Sequence, residues 1–269
     1  MTARRRPAEG GGFLREIVLL RERVGDFTVY PYSIPAVGKL DRLRLDPAVT
    51  ILIGENGSGK STVIEAIAIL AGLNPEGGTR NFRHAHRPSE SSLWRSLRLV
   101  RNACRERSAF FLRAETMFNV ATEVEKLQLT DYGWEDLHAR SHGEAFLWLV
   151  EHRFRPHGLY VLDEPESALS PQRQLALLRH IHDLVRAGSQ LVLATHSPIL
   201  MAYPGATLYR LDEHGIARTK FRETEHYVVT RAFLEHPEAA LEELFRDPEA
   251  ESDAPPGPKT KRKAKPDTT

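Results

Sequence analysis

Residues 48–70 read AVTILIGENGSGKSTVIEAIAIL. AVTILI (48–53) is an unbroken apolar run, the pattern of a strand buried on both faces. STVIEAIAIL (61–70) reads as an apolar helix. Between them, GENGSGKST (54–62) fits G-x-x-x-x-G-K-[ST] with Gly54, Gly59, Lys60 and Ser61. Glycines let such a loop wrap around phosphate with its N–H groups turned inward. The following helix N-terminus adds a favourable partial positive charge. Lys60 is placed to reach the β- and γ-phosphates, and the Ser61 hydroxyl to bind Mg²⁺. Gly54, Glu55, Asn56, Gly57, Ser58, Gly59, Lys60, Ser61 and Thr62 are therefore the candidate nucleotide-binding residues.

A second stretch belongs with the first. LYVLDEPESALSP (159–171) opens as a buried strand and ends on two adjacent carboxylates, Asp163 and Glu164, before Pro165 stops it. Charges at the end of a buried strand are costly unless a metal or a reaction uses them. Beside a phosphate loop, the first acid serves Mg²⁺ and the second can polarise an attacking water.

The rest of the chain sets bounds. The sequence has 269 residues, 41% apolar and 27% charged, with a net charge of +1. Bulk charge therefore gives no argument for nucleic acid. The single cysteine, Cys104, excludes an intramolecular disulfide framework and suits a reducing cytoplasm. No stretch reaches the apolar length of a membrane span. Residues 1–12 and 249–269 are polar and Pro/Gly-rich and are expected to be disordered, the latter carrying Lys259, Lys261, Arg262, Lys263 and Lys265.

FLREIVLL (13–20), FTVYPYSI (27–34) and RLRLD (42–46) read as strands, as does AFFLRAE (109–115). A helix is expected near Gln172–Ala187 with Leu175, Leu178, Ile181, Leu184 and Val185 on one side. QLVLAT (190–195) reads as a buried strand, and LYRL and GIARTKF as a hairpin. Residues 226–245 read as two short helices split near Pro237. Arg95, Arg98, Arg101 and Arg105 are spaced to share one helix face, either solvated or a phosphate-backbone contact.

Ser141 precedes the apolar run AFLWLV (145–150), with Glu144 three residues on, which predicts a capping box. The same geometry would offer helix amides to an anion. THSP (195–198) ends the strand after the acidic one, and its imidazole, His196, can donate to a phosphate oxygen.

Taken in order, the phosphate loop, SHGE (141–144), the DE strand, SALSP (167–171) and THSP resemble ABC-type ATPases over roughly residues 45–200. The resemblance implies an α/β P-loop NTPase core with a mostly parallel sheet, an N-terminal antiparallel β part and a helical subdomain carrying the signature motif. It implies one ATPase domain over 13–248, with the helical part at approximately 79–158. It also implies ATP and Mg²⁺ as cofactors, Ser61 and Asp163 at the metal, and Lys60, Glu164 and His196 in catalysis. Ser141 and Gly143 would meet ATP across an ATP-dependent homodimer. The signature departs from LSGGQ at Arg140, His142 and Glu144. Asn81 and Gln128 are candidates for the Q-loop residue, Tyr30 and Tyr32 for the aromatic that stacks on adenine.

Glu166 and Pro171 resemble the soluble SMC/RecF-like and AAA-family branch, and Ser170 stands where transporter subunits carry an aspartate. This branch implies a cytoplasmic ATPase in DNA repair, maintenance or defence, with DNA or a protein as partner and no membrane insertion. The alternatives are an ATP-binding subunit of a transporter and a nucleotide-gated switch with little turnover.

Overall fold

The computed structural model of the protein describes residues 12–75, 77–78, 91–113 and 141–246. Asn81, Gln128, most of both tails and the whole segment between Arg113 and Ser141 lie outside the described residues.

Two sheets are present among the described residues. The larger has six strands in the order β5-β6-β7-β3-β8-β9. Its members are β3 (Val49–Ile53), β5 (Ser108–Arg113), β6 (Gly158–Asp163), β7 (Gln190–Ala194), β8 (Thr207–Asp212) and β9 (Gly215–Thr219). All pairings are parallel except the β8–β9 hairpin. The smaller sheet is antiparallel: β1 (Leu14–Leu19) lies between β2 (Arg42–Arg44) and β4 (Leu97–Arg101).

The unbroken apolar runs have a direct cause. Every residue of β3, β6 and β7 is buried. Successive side chains point to opposite faces, and each face has its own core. Leu52, Leu159, Val161, Val192 and Ala194 join the core shared with the helix after the phosphate loop and the small sheet. Ile51, Ile53, Tyr160, Leu162, Leu191 and Leu193 join the other.

Seven helices carry the connections among the described residues: α1 (Pro35–Gly38), α2 (Lys60–Leu70), α3 (His142–Arg153), α4 (Pro171–Arg186), α5 (Pro198–Met201), α6 (Glu225–Glu235) and α7 (Pro237–Leu244). Helix α2 buries Val63, Ile64, Ala66, Ile67 and Ala68 at once, which explains why its sequence is apolar all round. Helices α3 and α4 cover the other face through Phe146, Leu149, Leu177 and Ile181. Residues from Val228 onward form a separate compact unit.

Gln190, fully buried, joins the start of β7 to the start of β1. Its Oε1 accepts from Phe13 N and Leu14 N at 2.8 Å each, and its Nε2 donates to Leu14 O and Asp46 O at 2.8 Å each. All four capacities of the amide are used.

Three sequence expectations are corrected. FTVYPYSI is a series of turns, fixed by Thr28 bonding to Asp26 and by Tyr32 N and Ser33 N donating to Val29 O. The arginine-bearing helix does not form. Arg98 and Arg101 lie on β4, because Leu97 and Leu99 pair with β1 in a two-residue alternation, and Arg95 sits in the preceding 3-10 turn. On α4, Leu175 is 58% exposed while Leu177 is buried. Two residues turn a helix by about 200°, so Leu175 falls opposite the Leu177–Ile181 stripe.

Candidate active site

The loop 54–59 leaves the C-terminal end of β3 and enters α2. Two of its glycines are sterically required. A Cβ on Gly54 would lie 2.4 Å from Leu211 O, and Gly59 caps α2 in the left-handed region at φ 96°. Lys60 is buried, and its Nζ donates to Gly54 O and Glu55 O, both at 2.9 Å. Burial lowers its pKa, against the nearby carboxylates Glu164, Asp163 and Glu166.

Strand β6 delivers the acids. Ser61 Oγ donates to Asp163 Oδ1 at 3.1 Å. Burial pushes the Asp163 carboxyl up to about 6, opposed by the Arg113 guanidinium and the Ser61 hydroxyl. Arg113 ends β5, the neighbour of β6. Its Nε lies 3.2 Å from Asp163 Oδ2 and its Nη2 lies 2.9 Å from Glu65 Oε2. Burial works against the Arg113 charge, but the two carboxylates outweigh it and hold its pKa above the ordinary value. These groups and Tyr30, Thr62 and Glu164 line a cavity of about 240 Å³.

Glu164 turns the chain sharply, at φ 47° and ψ 51°, with its N–H donating to Ala194 O at 3.0 Å. His196 follows β7. Its Nε2 lies 3.5 Å from Glu164 Oε1, and its Nδ1 lies 3.3 Å from His226 Nε2. Burial lowers the His196 pKa, Lys60 adds to this, and Glu164 opposes it. The backbone N–H of His196 donates to Glu166 Oε1.

Among the described residues, three buried side-chain polar atoms have no hydrogen-bond partner: Ser58 Oγ, Glu166 Oε2 and His196 Nε2. All three belong to this loop-and-strand cluster. Buried polar atoms normally find partners, so orphans gathered around a phosphate loop fit a site built to bind a polar ligand. The donor set also fits Mg²⁺. The Ser61 hydroxyl and the Asp163 carboxylate are adjacent hard oxygens, and Mg²⁺ typically takes one or two protein ligands with waters and substrate phosphates.

Ser141 and Gly143 form a second cluster. Ser141 caps α3 in a capping box with Glu144, whose Oε2 accepts from Ser141 N at 2.9 Å and from its Oγ at 2.7 Å. Arg173, on α4, donates to Ser141 Oγ at 3.0 Å and to Glu144 Oε1 at 2.9 Å. A Cβ on Gly143 would lie 2.6 Å from Arg173 Nη1 and 2.9 Å from Ala168 O. The α3 N-terminus is thus fitted tightly against the turn that follows the acidic strand.

Of the two candidate aromatics, Tyr30 stands at the site. It is 59% exposed, with its hydroxyl 3.5 Å from Thr62 Oγ1. Tyr32 instead bonds Ser96 Oγ at 2.8 Å and packs on the core. Sequence reasoning missed Glu65, Arg113, Arg173 and His226 as site residues and read Glu166 only as a branch marker. Glu65 did leave a signal, as the one carboxylate inside the apolar helix 61–70.

A family model described as "AAA domain, putative AbiEii toxin, Type IV TA system" matches residues 49–119 and 124–202, more than half of the chain. An uncharacterized ABC transporter ATP-binding protein of Haemophilus influenzae is 26% identical over 187 residues, covering 61% of this chain and 70% of the relative. The zinc import ATP-binding protein ZnuC of Vibrio cholerae is 32% identical over 170 residues, covering 58% of this chain and 61% of the relative. The SMC head domain from Thermotoga maritima superposes with a TM-score of 0.44 at 16% identity, covering 77% of this chain and 98% of that one. By the extent of the family match, the chain belongs to this AAA-domain family and is an ATPase of the ABC/AAA type.

Proposed function

We propose that the protein binds ATP with Mg²⁺ at the 54–62 loop and hydrolyses it. The observation that carries this reading is the gathering of orphaned polar atoms, Ser58 Oγ and His196 Nε2, with Lys60, Ser61, Asp163 and Glu164 around one phosphate loop. Lys60 leaves the two loop carbonyls and pairs with the phosphates. Ser61 and Asp163 would hold Mg²⁺, which would supply neutralisation of charge on the phosphate oxygens. Glu164 accepts the proton of the attacking water, and His196 donates from Nε2 to the γ-phosphate. Tyr30 stacks on the adenine.

The active unit in this reading is an ATP-dependent homodimer. The capped N-terminus of α3, with Ser141 and Gly143, faces the γ-phosphate bound by the second copy. The homodimer acts on DNA or on a protein in repair, maintenance or defence within the cytoplasm. The correction at Arg95–Arg101 removes the helix face that offered a DNA contact, so the partner reading rests on the resemblance of Glu166 and Pro171 to the SMC/RecF-like branch. A second reading, the ATP-binding subunit of a transporter, draws on the names of the two relatives.

The test is Lys60→Ala, with ATP hydrolysis and ATP binding measured on the same preparation. Hydrogen bonds to charged groups of about 1.5–3 kcal/mol imply a loss of affinity of roughly tenfold to hundredfold, with hydrolysis falling at least as far. Wild-type hydrolysis by this variant would remove the site assignment. Co-purification of Glu164→Gln with a multispanning membrane subunit would favour the transporter reading.

A further inference from the structure

His226 is the second residue of α6 and lies against the ring of His196, Nε2 to Nδ1 at 3.3 Å, with ring centroids 5.5 Å apart. Its place is well fixed. Thr224, buried just before the helix, donates from Oγ1 to Phe221 O at 2.8 Å and accepts from Tyr227 N at 3.2 Å. The Phe221 and Tyr227 rings pack at 4.7 Å. The first turn of α6 is therefore held in position while it presents an imidazole to the one after β7.

A neutral imidazole has one donor nitrogen and one acceptor nitrogen, and the partner of one decides the role of the other. His196 Nε2 is the orphaned atom and faces the Glu164 carboxylate. Opposite a carboxylate or a phosphate oxygen, that nitrogen is useful only as N–H. Its Nδ1 must then be the acceptor, and the group 3.3 Å away must donate. Burial lowers the pKa of both rings, which favours neutral forms and makes the tautomer the property to be controlled.

We propose that His226 is a positioning residue for His196: its Nε2–H donates to His196 Nδ1 and holds the Nε2–H tautomer facing Glu164 and the γ-phosphate. Without that donor the His196 ring is free to place its proton on Nδ1, leaving a lone pair toward the phosphate. The inference rests on the proposed nucleotide-facing role of His196.

The test compares His226→Phe, which keeps the ring shape and removes the donor, with His226→Gln, whose amide nitrogen can still donate. Two quantities are read on full-length protein: the His196 tautomer, from its ring ¹⁵N shifts, and steady-state ATP hydrolysis. His226→Phe should shift His196 toward the Nδ1–H form and lower kcat by about tenfold, the worth of one well-placed hydrogen bond, with KM within about twofold. His226→Gln should restore the tautomer and most of kcat. An unchanged tautomer in His226→Phe overturns the proposal, as does a Gln variant as impaired as the Phe one. His196→Ala separates the two readings: wild-type hydrolysis by that variant refutes the role of His196 itself, while the tautomer measurement still decides whether His226 controls it.

Discussion

Arg113 Nε lies 3.2 Å from Asp163 Oδ2, so an arginine from the neighbouring strand accompanies the acid assigned to Mg²⁺. The pairing is incomplete compensation. Burial still raises the Asp163 pKa from 3.8 to about 6. An acid with a raised folded pKa binds more protons folded than unfolded, so stability falls as pH rises from about 4 to 6, and the penalty is complete above that. Asp163→Asn should therefore be more stable than wild type at pH 7 without nucleotide or Mg²⁺, by up to roughly 3 kcal/mol. The difference should shrink below pH 4. Denaturant unfolding at several pH values measures it, and a gap independent of pH would refute the account.

Glu164→Gln removes the proposed proton acceptor and keeps the size and the turn. ATP affinity should stay within a few-fold of wild type, while hydrolysis falls by about 10²–10⁴-fold. If the sandwich reading holds, this variant elutes as a dimer with ATP and as a monomer without it. Monomeric behaviour at saturating ATP would count against the sandwich.

Gly143 and Arg173 should be energetically coupled. An added methyl at Gly143 meets Arg173 Nη1 at 2.6 Å and Ala168 O at 2.9 Å. Gly143→Ala should cost about 1–3 kcal/mol in stability, as overpacking does. Arg173→Ala opens space on one side, so the double variant should be less destabilised than the sum. Chemical denaturation of the four proteins gives the cycle. Strict additivity would mean that the guanidinium is not what confines Gly143.

Gln190→Leu has similar volume and no polar atoms. It deprives Phe13 N, Leu14 N, Leu14 O and Asp46 O of a shared partner. Each unmet buried group costs about 1–3 kcal/mol, so a loss of roughly 3 kcal/mol or more is expected. A thermal shift below 2 °C would show that these groups find other partners.

Much of the fold was readable because its central strands have a one-dimensional signature. Parallel strands covered on both sides must be apolar throughout, and AVTILI, LYVL and QLVLAT are. The loop glycines were readable because a tight loop between a buried strand and a helix demands them. The DE pair was readable because two adjacent acids at the end of a buried strand stand out, although only Asp163 is buried there and Glu164 is half-exposed. Failures came where the signal depended on a partner distant in sequence. Arg95–Arg105 fitted a helical spacing equally well until pairing with β1 chose the strand period. Arg113 becomes a site residue only because β5 lies in register with β6, Arg113 opposite Asp163. Arg173 and His226 likewise act through neighbours 32 and 30 positions away in sequence, Ser141 and His196.

The left-handed turn at Glu164 sets the chain's durability against the chemistry proposed for it. A side chain with a Cβ at φ 47° costs about 1–2 kcal/mol relative to an ordinary conformation, and glycine escapes that cost. Glu164→Gly would relieve the backbone while deleting the carboxylate beside His196. With Glu164 as the proposed proton acceptor, a tougher protein at this one position would be an idle one, and a search for thermostable variants without an activity screen would drift toward it.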